Sequence, residues 1–148
     1  MKKQVYSEVE IAAPVASVWA ILAHTDAYGD WNPFIRRIEG RLEPGARLRV
    51  TLALDENREL IFKPRLIRVF AQREIRWIGR TGIAGLFDGE HSMSIEAGDG
   101  ATRFIHQETF SGLLVPFLWP YLKPRVHKAF AAMNARLKAR AEAGAVVK

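Results

Sequence analysis

Residues 87–110, FDGEHSMSIEAGDGATRFIHQETF, contain two runs of alternating side chains on either side of a central Gly-Asp-Gly. Alternation with a period of two is typical of a β-strand, and paired glycines around an aspartate are typical of a tight turn. We therefore predict two strands, at 87–96 and 101–110, which are joined directly and are hence antiparallel.

The turn of this hairpin determines which side chains face each other. A two-residue turn at 99–100 pairs His91 with Glu108, whereas a loop at 97–100 pairs His91 with His106. In either register, strand parity places the same six side chains on one face: His91, Met93, Phe104, His106, Glu108 and Phe110. The large apolar members indicate the inner face, so we expect two histidines and a carboxylate in an apolar interior.

Five further strands are predicted from the same kind of alternation. They cover the segment from Val5 to Ile11 and residues 34–41, 47–54, 60–70 and 73–79. Within 60–70, Phe62 and Ile67 do not share parity, and a bulge near Pro64 would restore it because proline cannot donate to a ladder. The prediction is thus a seven-stranded antiparallel sheet with one apolar face.

Helical periodicity is found at both ends of this run of strands. Residues 14–23 form a short amphipathic helix, and a second short helical segment follows before residue 34. A long helix is predicted at about 124–143, and the prolines at 116, 120 and 124 predict that any helix over 113–122 is interrupted or kinked. A curved sheet that wraps around the long helix is the evident arrangement, so the fold class is α+β in one domain, residues 1–148.

Composition excludes several classes of protein. The 148 residues include no cysteine, which excludes a disulfide scaffold, a thiol nucleophile and Cys-ligated metal sites. The net charge of +6 is placed largely on the outer face, and Trp77 points away from Arg76. A basic face without aromatic stacking is atypical of nucleic-acid binding, which we therefore do not expect. The N-terminal residues lack the apolar stretch of a signal peptide, and we predict a cytoplasmic protein.

Four stretches together resemble a known superfamily. They are AAPVASVW at 12–19, YGDWNPF at 28–34, FIHQETFSGLL at 104–114, and the helix that carries Phe130, Met133, Asn134 and Leu137. This pattern is similar to the START-like, or SRPBCC, superfamily and to its polyketide cyclase/dehydrase-like group. The resemblance implies a helix-grip fold, with two short helices after the first strand. It also implies a cavity between sheet and C-terminal helix, in which members bind lipids, sterols, polyketides, quinones or hormones.

The predicted function is binding of a small apolar ligand (a lipid, a quinone or a polyketide-like compound) in that cavity. His91, His106 and Glu108 would orient the ligand, or would form a purely structural group. The alternative is a cyclase/dehydratase-type enzyme in which these three residues move protons. No catalytic residue is assigned. Further candidate ligand contacts, which the sequence does not separate from core residues, are Met93, Phe104, Phe110, Trp77, Phe62, Phe130, Met133 and Asn134.

His91, His106 and Glu108 are also ligand types of a two-histidine, one-carboxylate metal site. No carboxylate that would orient the histidines is evident, and we predict neither a metal nor a cofactor.

Two apolar stretches, 82–87 and 113–122, exceed what one small core requires. They are interpreted as a portal, a dimer contact, a membrane-touching lip or a cap on one end of the barrel, with Lys123, Arg125 and Lys128 nearby. Transient membrane contact and the choice between monomer and homodimer stay open at this point.

Overall fold

A computed structural model describes residues 2–55 and 57–146. The elements in chain order are β1 (Lys2–Ile11), α1 (Val15–Ala23), a 3₁₀ helix (Thr25–Asp30), β2 (Ile35–Glu39), β3 (Arg49–Asp55), β4 (Arg58–Phe62), β5 (Arg65–Phe70), β6 (Glu74–Arg80), β7 (Asp88–Ala97), β8 (Thr102–Ser111) and α2 (Val115–Val146). The predicted α+β class and the two short helices after the first strand are confirmed.

The strands form two antiparallel sheets that enclose one side of α2. One sheet has the order β1-β8-β7-β6-β5, and the other has the order β2-β3-β4. Helix α2 packs against β1, β3, β8 and α1, as expected for the helix-grip arrangement. The core between these layers includes Phe104, Trp77, Phe130 and Leu137, all buried.

The expectation of seven strands in one sheet was wrong. The predicted strand at 60–70 is two strands, β4 and β5, which belong to different sheets. Pro64 lies in the interruption, and its carbonyl accepts a hydrogen bond from the Leu48 amide at 2.8 Å. Pro64 therefore marks a break between strands, because proline ends the ladder there, and the register within β5 also shifts between Leu66 and Arg68.

The hairpin prediction is confirmed in its two-residue form. The Gly98 amide donates to the Ala101 carbonyl at 2.8 Å, and Gly100 has a φ of 69°, which glycine adopts without steric cost. His91 consequently pairs with Glu108, while Met93 pairs with His106.

Helix α2 begins nine residues earlier than the predicted start at 124. Pro116 is its second residue, where a missing amide hydrogen costs nothing, but Pro120 and Pro124 lie within the helix. Val115 and Val126 are buried, and Trp119 and Leu122 pack against the core. Burial of this apolar face outweighs the lost backbone hydrogen bonds, so the local proline rule fails here. Among the described residues, no helix is both long enough and apolar enough to cross a bilayer.

Candidate functional site

A cavity of about 170 Å³ lies between the two sheets and α2. Its walls are mostly apolar, and its lining residues are Phe34, Leu52, Leu54, Leu60, Phe62, Gly79, Arg80, Thr81, Phe87, Gly89, Glu108, Phe110, Leu122 and Val126. Leu60, Arg80 and Thr81 are also exposed to solvent, which shows where the cavity reaches the molecular surface.

Glu108 is the acidic side chain of this cavity. Its carboxyl group lies over Gly89, so closely that a Cβ at position 89 would collide with the carboxylate oxygen Oε2. Burial raises the pKa of Glu108 to about 8, and no neighbouring charge or hydrogen bond among the described residues offsets this effect. The group is therefore largely protonated at neutral pH and can both donate and accept a hydrogen bond.

The two histidines form a separate hydrogen-bonded chain. His106 Nε2 lies 2.7 Å from His91 Nε2, and His106 Nδ1 lies 3.0 Å from Asn134 Oδ1. Asn134 Nδ2 donates to Ser7 Oγ at 2.9 Å. Because an amide oxygen only accepts, His106 carries its proton on Nδ1 and accepts at Nε2 from His91 Nε2–H.

This arrangement favours neutral histidines. Burial lowers the pKa of His106 to about 3, although its hydrogen bond with Asn134 acts in the opposite direction. Burial, and then the proximity of His106, also lower the pKa of His91 well below its usual value. His106 stacks on Phe130 with ring centroids 3.7 Å apart, and His91 stacks on Trp77 at 4.7 Å. The pair is packed like aromatic core residues.

The sequence-predicted site residues thus divide into two groups. Phe62, Glu108 and Phe110 line the cavity. The remaining candidates are buried in the core beside the cavity but are not part of its lining: Trp77, His91, Met93, Phe104, His106, Phe130, Met133 and Asn134. His91 is a cross-strand partner of Glu108, yet the histidine is hydrogen-bonded to His106 and the carboxyl group lies over Gly89. The two histidines therefore do not offset the effect of burial on the pKa of Glu108.

These positions also bear on metal binding. In residues 2–55 and 57–146, no group of three histidine or carboxylate side chains is arranged to hold a metal ion.

Sequence reasoning missed part of the cavity wall. Gly89 could have been predicted from the sequence, since a glycine inside a strand often marks a close approach by another group. Arg80 and Thr81 at the opening carried no such signal, because their position depends on how β6 ends beside β4. Arg80 Nε lies 3.8 Å from Asp88 Oδ2, which also accepts a hydrogen bond from the Gly85 amide.

Comparison with known proteins identifies the family to which the sequence is similar. The sequence profile of a family described as polyketide cyclase / dehydrase and lipid transport matches residues 2–142. Comparison with curated protein sequences gives no match.

Several solved structures share the fold. The Zhui aromatase/cyclase from Streptomyces sp. R1128 has a TM-score of 0.78 and 18% identity, over 96% of this chain and 94% of that chain. A START superfamily protein from Mycobacterium smegmatis has a TM-score of 0.72 and 22% identity, over 94% and 97%. The di-domain aromatase/cyclase BexL of the BE-7585A biosynthetic pathway has a TM-score of 0.77 and 14% identity, over 95% of this chain. The chain spans 50% of the length of BexL, and at these identities the likeness concerns the fold alone.

Proposed function

We propose, since the chain belongs to the polyketide cyclase / dehydrase and lipid transport family, that it binds a small apolar ligand in the cavity between its sheets and α2. The ligand class is a lipid, a quinone or a polyketide-like compound. The observation that carries the proposal is an apolar cavity that reaches the surface and whose described lining includes one carboxyl group, that of the half-buried Glu108. Apolar walls supply affinity, at about 25 cal/mol per Å² of apolar surface buried.

The volume of the cavity limits what it holds as it stands. A cavity of about 150 Å³ accommodates benzene, so 170 Å³ corresponds to roughly one six-membered ring. A longer ligand would extend through the opening beside Leu60, Arg80 and Thr81. The protonated Glu108 carboxyl would hydrogen-bond to a carbonyl or hydroxyl group on the buried ring, because both are its natural partners.

The second candidate function is a cyclase/dehydratase-type enzyme. A carboxyl group with a pKa near 8, facing a cavity, is suited to give up or take a proton near neutral pH. His91 and His106 are hydrogen-bonded within the core, so Glu108 would act without them in this version. Ligand binding remains the first proposal, since the described residues that line the cavity include no second acid–base group beside this carboxyl.

Other features of the proposal follow from the sequence. We retain one ligand-binding domain over residues 1–148, a cytoplasmic location, and a monomer or homodimer as predictions.

A pair of one-ring probes tests the ligand proposal. 4-Fluorophenol and fluorobenzene differ in one hydroxyl group, and ¹⁹F NMR titration measures the affinity of each. We expect both to bind, with 4-fluorophenol about fivefold tighter because one hydrogen bond to Glu108 contributes about 1 kcal/mol. Glu108→Leu should abolish this preference, whereas Glu96→Gln, on the outer face, should preserve it.

A second variant tests the location of the probes. Leu54→Trp places a larger side chain in the cavity wall and should abolish binding of both compounds. Ile61→Trp makes the same kind of change at an exposed position on the adjacent strand and should leave binding intact. Equal binding by wild type and Leu54→Trp, or no binding by wild type, would overturn the proposal.

A further inference from the structure

A group of exposed apolar side chains lies on the two segments, 83–86 and 113–121, that lead into the cavity-lining residues Phe87 and Leu122. We call this group the apolar lip, and it consists of Ile83, Leu113, Leu114, Phe117, Leu118 and Tyr121. Phe117 is 80% exposed, Leu113 76% and Ile83 75%, which are high values for large apolar side chains. Contiguous exposed apolar surface of this kind marks an interaction site more often than scattered single residues do.

Backbone hydrogen bonds join the two segments of the lip. The Leu113 amide donates to the Gly85 carbonyl at 3.1 Å, and the Leu114 amide donates to the Leu86 carbonyl at 3.0 Å. Phe87 ends the loop at 81–87, which carries Ile83, and Leu122 lies one helical turn beyond Leu118. Both Phe87 and Leu122 line the cavity. The lip is therefore one structural unit, and it is continuous with the cavity wall.

On helix α2, the charged side chains beside the lip are all positive. From Val115 to Lys128, helix α2 carries Lys123, Arg125 and Lys128 and no acidic residue. Arg125 lies over the Tyr121 ring at 3.7 Å, and Arg58 Nη1 lies 3.5 Å from the Tyr121 hydroxyl. The loop at 81–87 is uncharged, and the adjacent Asp88 is already near Arg80.

The partner must therefore offer an apolar environment that large side chains can enter, together with a negatively charged surface. A second copy of the chain fits poorly, since a two-fold contact would bring each lip against itself and the same cations into apposition. An anionic bilayer offers both properties, because lipid headgroups attract lysine and arginine while large apolar side chains enter the boundary below them.

We propose that the apolar lip docks on an anionic lipid bilayer and brings the cavity opening to the membrane surface. The docking stands on the lip and its cations alone. Its consequence, that the ligand enters from the lipid phase, rests on the proposed function.

Vesicle flotation of the full chain tests this proposal. We expect the wild type to bind phosphatidylcholine vesicles that contain phosphatidylserine, and to bind pure phosphatidylcholine vesicles more weakly. Phe117→Ser should weaken binding about tenfold. Lys123→Gln and Lys128→Gln should each weaken it about fivefold, and only on anionic vesicles. Phe70→Ser, at an exposed phenylalanine on the far end of β5, should have no effect.

Three results would overturn the docking proposal. They are absence of wild-type binding to anionic vesicles, unchanged binding by Phe117→Ser, and a concentration-dependent dimer in sedimentation that Phe117→Ser abolishes. 4-Fluorophenol affinity measured without vesicles separates this inference from the ligand proposal. Retained probe affinity with no vesicle binding contradicts docking alone, and vesicle binding without probe affinity contradicts the ligand proposal alone.

Discussion

At the scale of single residues, Glu108 and the histidine pair impose opposite pH dependences on stability. Glu108 has a pKa of about 8 in the folded chain against 4.5 ordinarily, so the folded state holds a proton that the unfolded state releases between these values. Stability from this group is complete below pH 4.5 and is lost as the pH rises towards 8. His91 and His106 have lowered pKa values, so their contribution is complete above pH 6.5 and is lost as the pH falls.

The free energy of unfolding should therefore be greatest near pH 6.5. Above that pH the proton that the folded state holds on Glu108 determines the slope, and stability should fall by about 1 kcal/mol by pH 8. One group alone gives at most about 1.4 kcal/mol per pH unit, and deprotonation of the two histidines in the unfolded chain offsets part of this loss. Urea unfolding at a series of pH values measures this. Glu108→Gln should abolish the fall above pH 6.5, and Glu96→Gln should retain the wild-type slope. A wild-type profile that is already flat from pH 6.5 to pH 8 would contradict the buried carboxyl.

Residue-scale placement was partly predictable. Strand parity placed Glu108 and both histidines on the inner face, and the Gly-Asp-Gly turn allowed the register that is observed. Strand parity does not determine which neighbouring residue on the adjacent strand a side chain approaches. His91 extends towards His106 while Glu108 extends towards Gly89, so the two partners separate although their backbones are paired. This separation depends on side-chain packing around Trp77 and Phe130, which alternation does not encode.

At the scale of elements, helix α2 shows burial overriding local propensity. Pro120 and Pro124 each remove one backbone hydrogen bond inside the helix, yet the helix continues because its inner face is buried. The sequence prediction placed the start at 124 because the proline rule describes only local hydrogen bonding. At Pro64 the local proline rule holds instead. Alternation alone suggested one continuous strand at 60–70, but Pro64 interrupts the ladder and divides it into β4 and β5.

Restoring the backbone N–H donor that is missing at Pro124 should stabilise helix α2. We expect Pro124→Ala to raise the free energy of unfolding by about 1–2 kcal/mol, since the regained hydrogen bond outweighs the added freedom of the unfolded chain. Pro116→Ala should give no gain, because the second residue of a helix has no such bond to regain. Urea unfolding of both variants measures the difference, and equal effects at the two positions would refute this explanation.

At the scale of the whole molecule, the cavity arises from the division of the strands into two sheets. Residues of β3 and β4 form one wall, residues of β6, β7 and β8 form another, and α2 closes the space between them. The sequence resemblance implied such a cavity, but its lining depends on the gap between the sheets. Leu122, Val126 and Arg80 were for this reason not foreseen as lining residues.

The most direct test of the central claim locates a bound one-ring compound in the molecule. Intermolecular nuclear Overhauser effects (NOEs) between the ring protons of 4-fluorophenol and protein methyl groups report which surface the compound touches. The structure predicts NOEs to Leu54, Leu122 and Val126, which line the cavity. NOEs confined to the exposed methyl groups of Ile83 and Leu113, or no intermolecular NOE at saturating probe, would contradict a ligand site between the sheets and α2.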